Sequence, residues 1–293
     1  YAIPHFGPWN LSMRVDYRWQ DKMFWSVENR NFEPSFGQLG ARVSYEQIAL
    51  LALASFAGGL AFGVTGFAFG VVASLFLHHA FAPREVVFLI VSGGLLLNLL
   101  ALPRFWREID FRQSAPFLTG ATVGLPLGIL LLQRMPPANL RLLTSVVVIA
   151  YCLFALLRHG QQALQFSRRS GQAADTGIGL AGGVIGGVAG LGPLLPSVWY
   201  GLRGKNKAEA RGLTQPFGLY VQGLMTAWFL VTSGAQQTPL AAVALGLPLM
   251  LAGAWIGLRL FERISVATFR LCIVWLSLAG AVILLVRQAL AYT

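Results

Sequence analysis

Acidic side chains are scarce in this sequence: eleven Asp and Glu stand against 22 Lys and Arg in 293 residues. None falls in the middle of an apolar run. The acids lie before residue 47 or at run ends, at Glu85, Glu108, Asp110, Asp175, Glu209 and Glu262. That distribution excludes a buried carboxylate site for a cation at a membrane midplane. Cysteine is nearly absent as well. Cys152 and Cys272 both sit inside apolar runs without metal-ligand spacing, and read as small core hydrophobes. His78 and His79 are adjacent, hence on different helical faces, and make a poor metal pair. No HExxH, GxSxG, phosphate-loop or dinucleotide-loop pattern occurs. Neither an enzyme nor a cofactor nor a metal site is expected.

Charge is sparse overall, 11% of residues, against about 25% in a soluble domain. What fills the chain is apolar: 56% hydrophobic residues and a mean hydropathy of +0.63. Apolar runs of spanning length cover 48–77, 84–103, 114–133, 140–157, 177–202, 212–232, 239–261 and 267–289. About 20 such residues cross a bilayer as a helix. The fold class expected is an all-α polytopic membrane protein with about eight transmembrane helices. In that setting the net charge of +11 belongs to short loops facing lipid headgroups, not to a nucleic-acid surface.

Residues 1–47 differ from the rest, being rich in charge and in aromatics such as Trp9, Trp19 and Trp25. Leu11, Met13, Val15, Tyr17 and Trp19 alternate with polar residues, which is strand periodicity. Asp21–Lys22 can turn the chain back along MFWSV as a β-hairpin. Two strands alone are marginal in water. This extramembrane arm therefore leans on its own membrane domain, on the lipid interface, or on a membrane-protein partner.

The membrane part writes one sentence twice. AGGLAFGVTGF at 57–67 returns as AGGVIGGVAGL at 181–191. At the same offset of 124, Glu85 matches Glu209, Gly94 matches Gly218, and the amide Asn98 matches the amide Gln222. Further on, at an offset of 129, Gly124, Gly128, Arg134, Arg141 and Arg158 face Gly253, Gly257, Arg263, Arg270 and Arg287. The organisation expected is an arm at 1–47, a first repeat at 48–158, a basic linker at 159–176 and a second repeat at 177–293. Four spans per half make a parallel repeat, with its twofold axis along the membrane normal. The first run is too long for one untilted span, however, and its counterpart is glycine-broken. If these are half-helices or re-entrant hairpins, the repeats are inverted instead.

Glycine costs on the order of 1 kcal/mol against alanine inside a helix. Breaks at the repeated glycines would free backbone N–H groups, tolerable only inside protein or beside a wet cavity. Half-helix N-termini there would face an anion. The plainer alternative is close helix packing through small residues. The candidate substrate-binding residues are Gly63, Thr65, Gly66, Asn98, Gly187, Gly190, Gln215 and Gln222. The amides could equally bond helix to helix. Glu85 and Glu209 open their spans, either as helix caps or as proton-coupling groups. RGKNKAEAR at 203–211 either draws anions to a vestibule or anchors headgroups.

The doubled GGxxxGVxG, the two halves of four runs, the acid opening the second run of each half and the basic linker together resemble the TauE/SafE sulfite exporter family. The likeness covers about 48–289. It implies a secondary permease for a small anion such as sulfite, a sulfonate or a related oxidised-sulfur compound, in the bacterial plasma (inner) membrane. The chain departs from the family pattern at Phe67 and Phe69, which put bulk where the family keeps glycine. That departure opens a second reading: an accessory, non-transporting subunit of a larger membrane complex, photosynthetic or respiratory for example, docked through residues 1–47.

Overall fold

The computed structural model describes residues 45–157, 168–203, 207–237 and 239–263, four short strands before them, and single helical positions at 275 and 278. The last apolar run, apart from those two positions, and the first half of the expected linker, 159–167, lie outside the described residues, as do Cys272, Arg270 and Arg287. The chain divides into two units, Tyr1–Leu50 and Leu51–Thr293.

In the first unit, β1 (Met13–Asp16) pairs antiparallel with β4 (Gly40–Val43), and β2 (Met23–Phe24) pairs with β3 (Phe32–Glu33). The strand at Met13 is where alternation placed it, but its partner is not. A hairpin about Asp21–Lys22 would join β1 to β2, which offers two residues. β4 instead supplies a four-residue ladder, from Met13 opposite Val43 to Asp16 opposite Gly40.

From Tyr45 onward every described element is helical: α1 (Tyr45–Thr65), α2 (Phe69–Ala80), α3 (Pro83–Phe105), α4 (Phe111–Arg134), α5 (Pro137–Leu157), α6 (Arg168–Ala189), α7 (Leu194–Leu202), α8 (Lys207–Gln237) and α9 (Leu240–Arg263), with a 3-10 turn at Trp106–Glu108. Among the described residues five helices are long and apolar enough to cross a membrane, within α1, α3, α4, α5 and α9. The chain is a polytopic membrane protein. Helix starts follow local chemistry. Pro83 opens α3, and the Ala82 N–H donates to Glu85 Oε2 at 2.9 Å. Asp110 caps α4 by accepting the N–H groups of Arg112 and Gln113.

Two expected runs are each a pair of helices. The first breaks at Gly66 (φ +87°) and its counterpart at Gly190 (φ +74°), the two positive-φ glycines among the described residues. Both breaks reverse the chain. A Cβ on Gly58 would lie 3.1 Å from the Phe69 carbonyl oxygen, although a straight helix would hold those residues about 16 Å apart. A Cβ on Gly182 would lie 3.3 Å from Pro196 Cδ, against about 21 Å along a straight helix. The four runs expected between 48 and 157 are therefore five helices, α1–α5.

Helix directions follow from which glycine meets which neighbour. Gly120, Gly124 and Gly128 of α4 abut the carbonyls of Thr176, Leu180 and Val184, so α4 and α6 run parallel. Gly253 and Gly257 of α9 abut the carbonyls of Phe56 and Leu60, so α9 and α1 run parallel too. A Cβ at any of these glycines would overlap the facing carbonyl, which is why the helices approach so closely. Between α3 and α8 the order reverses: Gly94 meets Gln222, whereas Asn98 meets Gly218. These two helices are antiparallel. A twofold axis along the membrane normal would run them the same way, so the parallel arrangement expected from four spans per half does not hold. The physical reason is the chain reversal at each glycine turn, which adds a helix to the count.

The core sits on α3, where Val86, Phe88, Ile90 and Val91 are fully buried. Val123, Leu127 and Trp255 face outward, as a lipid solvent allows.

Candidate functional site

The candidate residues gather at two turns and one helix crossing. At the first turn, the Thr65 hydroxyl donates to the Ala61 carbonyl (2.8 Å) and accepts the N–H groups of Phe67 (3.3 Å) and Ala68 (3.1 Å). Those two N–H groups belong to the turn itself; α2 begins after them, at Phe69, with no side-chain cap bond at its N-cap Ala68. At the second turn Ala189 occupies the matching position, and α7 starts at Pro193 with no side-chain cap. The tips are near each other: a Cβ on Gly70, in the first turn of α2, would lie 3.7 Å from the Gly190 carbonyl oxygen and 2.8 Å from Leu191 Cδ2. Gly63 packs on Ala254 and Gly257, and Gly187 on Leu125 and Gly128. Both of these glycines serve close helix packing.

Asn98, Gln215 and Gln222 meet at the α3–α8 crossing. Asn98 Nδ2 donates to Gln222 Oε1 (2.9 Å) and to the Gly94 carbonyl (2.9 Å), and Gln215 Nε2 donates to the Asn98 carbonyl (2.8 Å). All three are buried. Ser92 bonds back to the Phe88 carbonyl of its own helix, and Tyr220 reaches Thr122 of α4 at 2.9 Å. Glu85 and Glu209 stand apart from this cluster. Glu85 is a cap in the first turn of α3, and Glu209 is exposed in the first turn of α8.

A residue that the sequence reading folded into the cluster at 203–211 turns out to be central. Arg211 is 4% exposed. Its NH2 donates to the Gly63 carbonyl at 2.5 Å, and its guanidinium carbon lies 4.6 Å from the Phe105 ring centroid. A Cβ on Gly66 would sit 2.8 Å from its Nε. Gly212 lets the α8 backbone press on the Glu108 carbonyl, and this close approach carries Arg211 in between α1 and α3. The signal was present: positions 211, 215, 218 and 222 fall on one helical face.

A family model for the sulfite exporters TauE/SafE matches residues 51–284. The chain belongs to the TauE/SafE sulfite exporter family. No curated protein and no solved structure matches it. The family is one of membrane permeases, so this member is an integral membrane transporter by descent. Phe67 and Phe69, the bulky residues in the first glycine stretch, are both packed. The Phe69 ring fills the space that Gly58 and Gly93 leave open. Phe67 stands edge-on to Tyr151 at 6.4 Å.

This TauE/SafE protein carries one more polar feature outside the expected set. Asp175 of α6 accepts Trp199 Nε1 at 2.6 Å and pairs with Arg203 at 2.8 Å, tying the open end of the α6–α7 hairpin. Beside it lies a cleft of about 530 Å³ that Arg112, Gln172 and Tyr200 help to line. The counterparts of Asp175 and Arg203 at an offset of 124 are Leu51 and His79, so the α1–α2 hairpin lacks this tie.

Proposed function

We propose that the chain is a secondary permease for a small oxyanion, sulfite or a sulfonate, working through two inverted repeats, the first holding α1–α5 and the second holding α6–α9 among the described residues. The first repeat is 48–158 and the second begins with α6 at Arg168, nine residues earlier than expected from the sequence. The observation that carries this reading is the pair of hairpin turns. Gly66 and Gly190 are 124 residues apart in sequence, share a positive φ, and head chain reversals whose tips approach through Gly70. Inverted repeats place their solute site near the midplane at the repeat interface, where broken helices present main chain to the ligand. The antiparallel α3–α8 crossing and the matched parallel pairs α4–α6 and α1–α9 support an axis in the membrane plane.

The candidate site lies about the two turns, with Gly63, Thr65, Gly66, Gly187 and Gly190 as main-chain elements. Asn98, Gln215 and Gln222 hold the repeat interface together. Glu85 takes the cap role rather than proton transfer, because its carboxylate is exposed and bonded to Ala82 N–H. The location that accompanies this reading is the bacterial plasma membrane. The test is sulfite uptake into proteoliposomes holding the full chain, beside a panel of sulfonates, sulfate and chloride. Uptake above empty vesicles that saturates with sulfite or a sulfonate is the expected result. No flux above empty vesicles across the panel refutes the reading.

A further inference from the structure

We propose that Arg211 is the group that takes the charge of the transported oxyanion, in competition with the Gly63 carbonyl that now accepts from it. This rests on the anion-permease reading above. Four observations converge on it. Arg211 is a buried cation near the start of α8, 4% exposed, and a charge taken out of water at a repeat interface is costly unless it has a task there. It lies against the first hairpin turn, with its NH2 on the Gly63 carbonyl and its Nε close to Gly66. The Phe105 ring holds the guanidinium plane from one side. Its counterpart at an offset of 124 is Val87, which is buried and apolar, so the repeat is broken at this position by a single cation.

A fork of planar donors suits an oxyanion better than a point charge does. The Gly63 carbonyl that accepts from Arg211 is neutral. An oxyanion adds charge attraction and can accept two guanidinium N–H groups side by side, which a carbonyl cannot match, so an oxyanion at the turn draws the guanidinium from the carbonyl. That exchange uncouples α8 from the end of α1 and lets the α1–α2 turn move when solute binds. Arg104 in the last turn of α3 and Glu108 in the 3-10 turn after it, both exposed, are charged groups that act on Arg211 electrostatically. The first offers an anion a waypoint, and the second returns the guanidinium after release.

A purely structural role also exists, because a cation beside the last carbonyls of a helix stabilises its C-terminus. The experiment separates the two. The full chain in detergent is titrated with sulfite, with chloride and gluconate as controls, and thermal unfolding gives the half-saturating concentration. R211Q is expected to raise that concentration by about tenfold or more, and R211K by only about threefold, since lysine keeps the charge and loses the fork. An unchanged half-saturation in R211Q, whatever its Tm, overturns the proposal and leaves a latch. If R211Q does not purify, the wild type answers. Modification of Arg211 by a dicarbonyl reagent, read by mass spectrometry, is slowed by methanesulfonate and not by chloride; equal rates overturn the proposal. Failure of the permease reading is distinct from this. Wild type that binds sulfite without carrying it refutes transport and leaves the Arg211 titration readable, whereas wild type that binds no oxyanion overturns both.

Discussion

Asn98 donates its side-chain amide to Gln222 at 2.9 Å, across 124 residues of sequence. The two amides occupy equivalent positions of the repeated pattern, and each also packs on the glycine paired with the other, Gly218 for Asn98 and Gly94 for Gln222. That reciprocal arrangement is what an in-plane twofold axis produces. It also says what the pair is worth. Interhelical hydrogen bonds in membranes average about 0.6 kcal/mol. A double-mutant cycle with N98A and Q222A should give a coupling of about 0.5–1 kcal/mol in unfolding measurements. A coupling near zero would remove the pair as the fastener of α3 to α8.

The turn glycines resist an added methyl through their backbone conformation. At positive φ an L side chain meets the following carbonyl, at a cost of about 1–2 kcal/mol. G66A meets Arg211 in addition, so it should lose more stability than G190A, which meets Ile90 and Val91. Gly177 in α6 is the control. A Cβ there meets nothing within 4 Å, and G177A should gain up to about 1 kcal/mol from helix propensity. Thermal melts of the three variants check the order, and a stable G66A would contradict the turn geometry.

Much of this architecture was legible as pattern but not as shape. The doubled glycine sentence marked both turns, yet glycine serves close packing and chain reversal alike. Only φ at Gly66 and Gly190 tells the two apart. Phe69 shows the difficulty. It reads as an intrusion into a glycine motif, and proves to be the ring that Gly58 and Gly93 accommodate across the hairpin. Arg211 was hidden in a basic cluster at 203–211 because a charge next to a span reads as a headgroup anchor. Its burial depends on Gly212 letting α8 close upon Glu108, a tertiary fact. The amides Asn98 and Gln222 read equally as solute ligands or as a bond between helices, and across their spacing of 124 Asn98 donates to Gln222.

Glycine registers on α4 and α9 should behave as a matched pair. Gly124 faces the Leu180 carbonyl and Gly253 the Phe56 carbonyl. Alanine at either would force two helices apart, at a cost of about 1–3 kcal/mol as in overpacked cores. G124A and G253A should therefore lower the unfolding temperature by similar amounts. A tolerated G253A beside a damaging G124A would show that the α1–α9 approach is looser than its counterpart.

The Asp175–Arg203 tie should matter to one hairpin alone. Its partners are partly exposed, at 11% and 25% of their side chains. Exposed pairs are worth about 0–1 kcal/mol and buried ones cost about 3–5 when broken, so D175N should cost about 1–2 kcal/mol. Trp199 Nε1 retains an acceptor in D175N, so its fluorescence should shift less than in D175L. If D175L unfolds no earlier than the wild type, the tie contributes nothing to the α6–α7 hairpin.

Membrane sidedness offers the sharpest check on the inverted arrangement. Arg107 lies exposed between α3 and α4, and Leu240 opens α9 after α8. With four continuous spans per half, α3 and α8 would run the same way and these two positions would share a face. Because the helices are antiparallel, the ends they reach lie on opposite faces. The experiment places single cysteines, R107C or L240C, in a background carrying C152A and C272A. A membrane-impermeant maleimide is then applied to sealed spheroplasts, with permeabilised cells as the total. One position should label from outside and the other only after permeabilisation. Labelling of both from one face would require α3 and α8 to cross the bilayer in the same direction. That is incompatible with Gly94 meeting Gln222 while Asn98 meets Gly218, so the inverted repeat would fall with it.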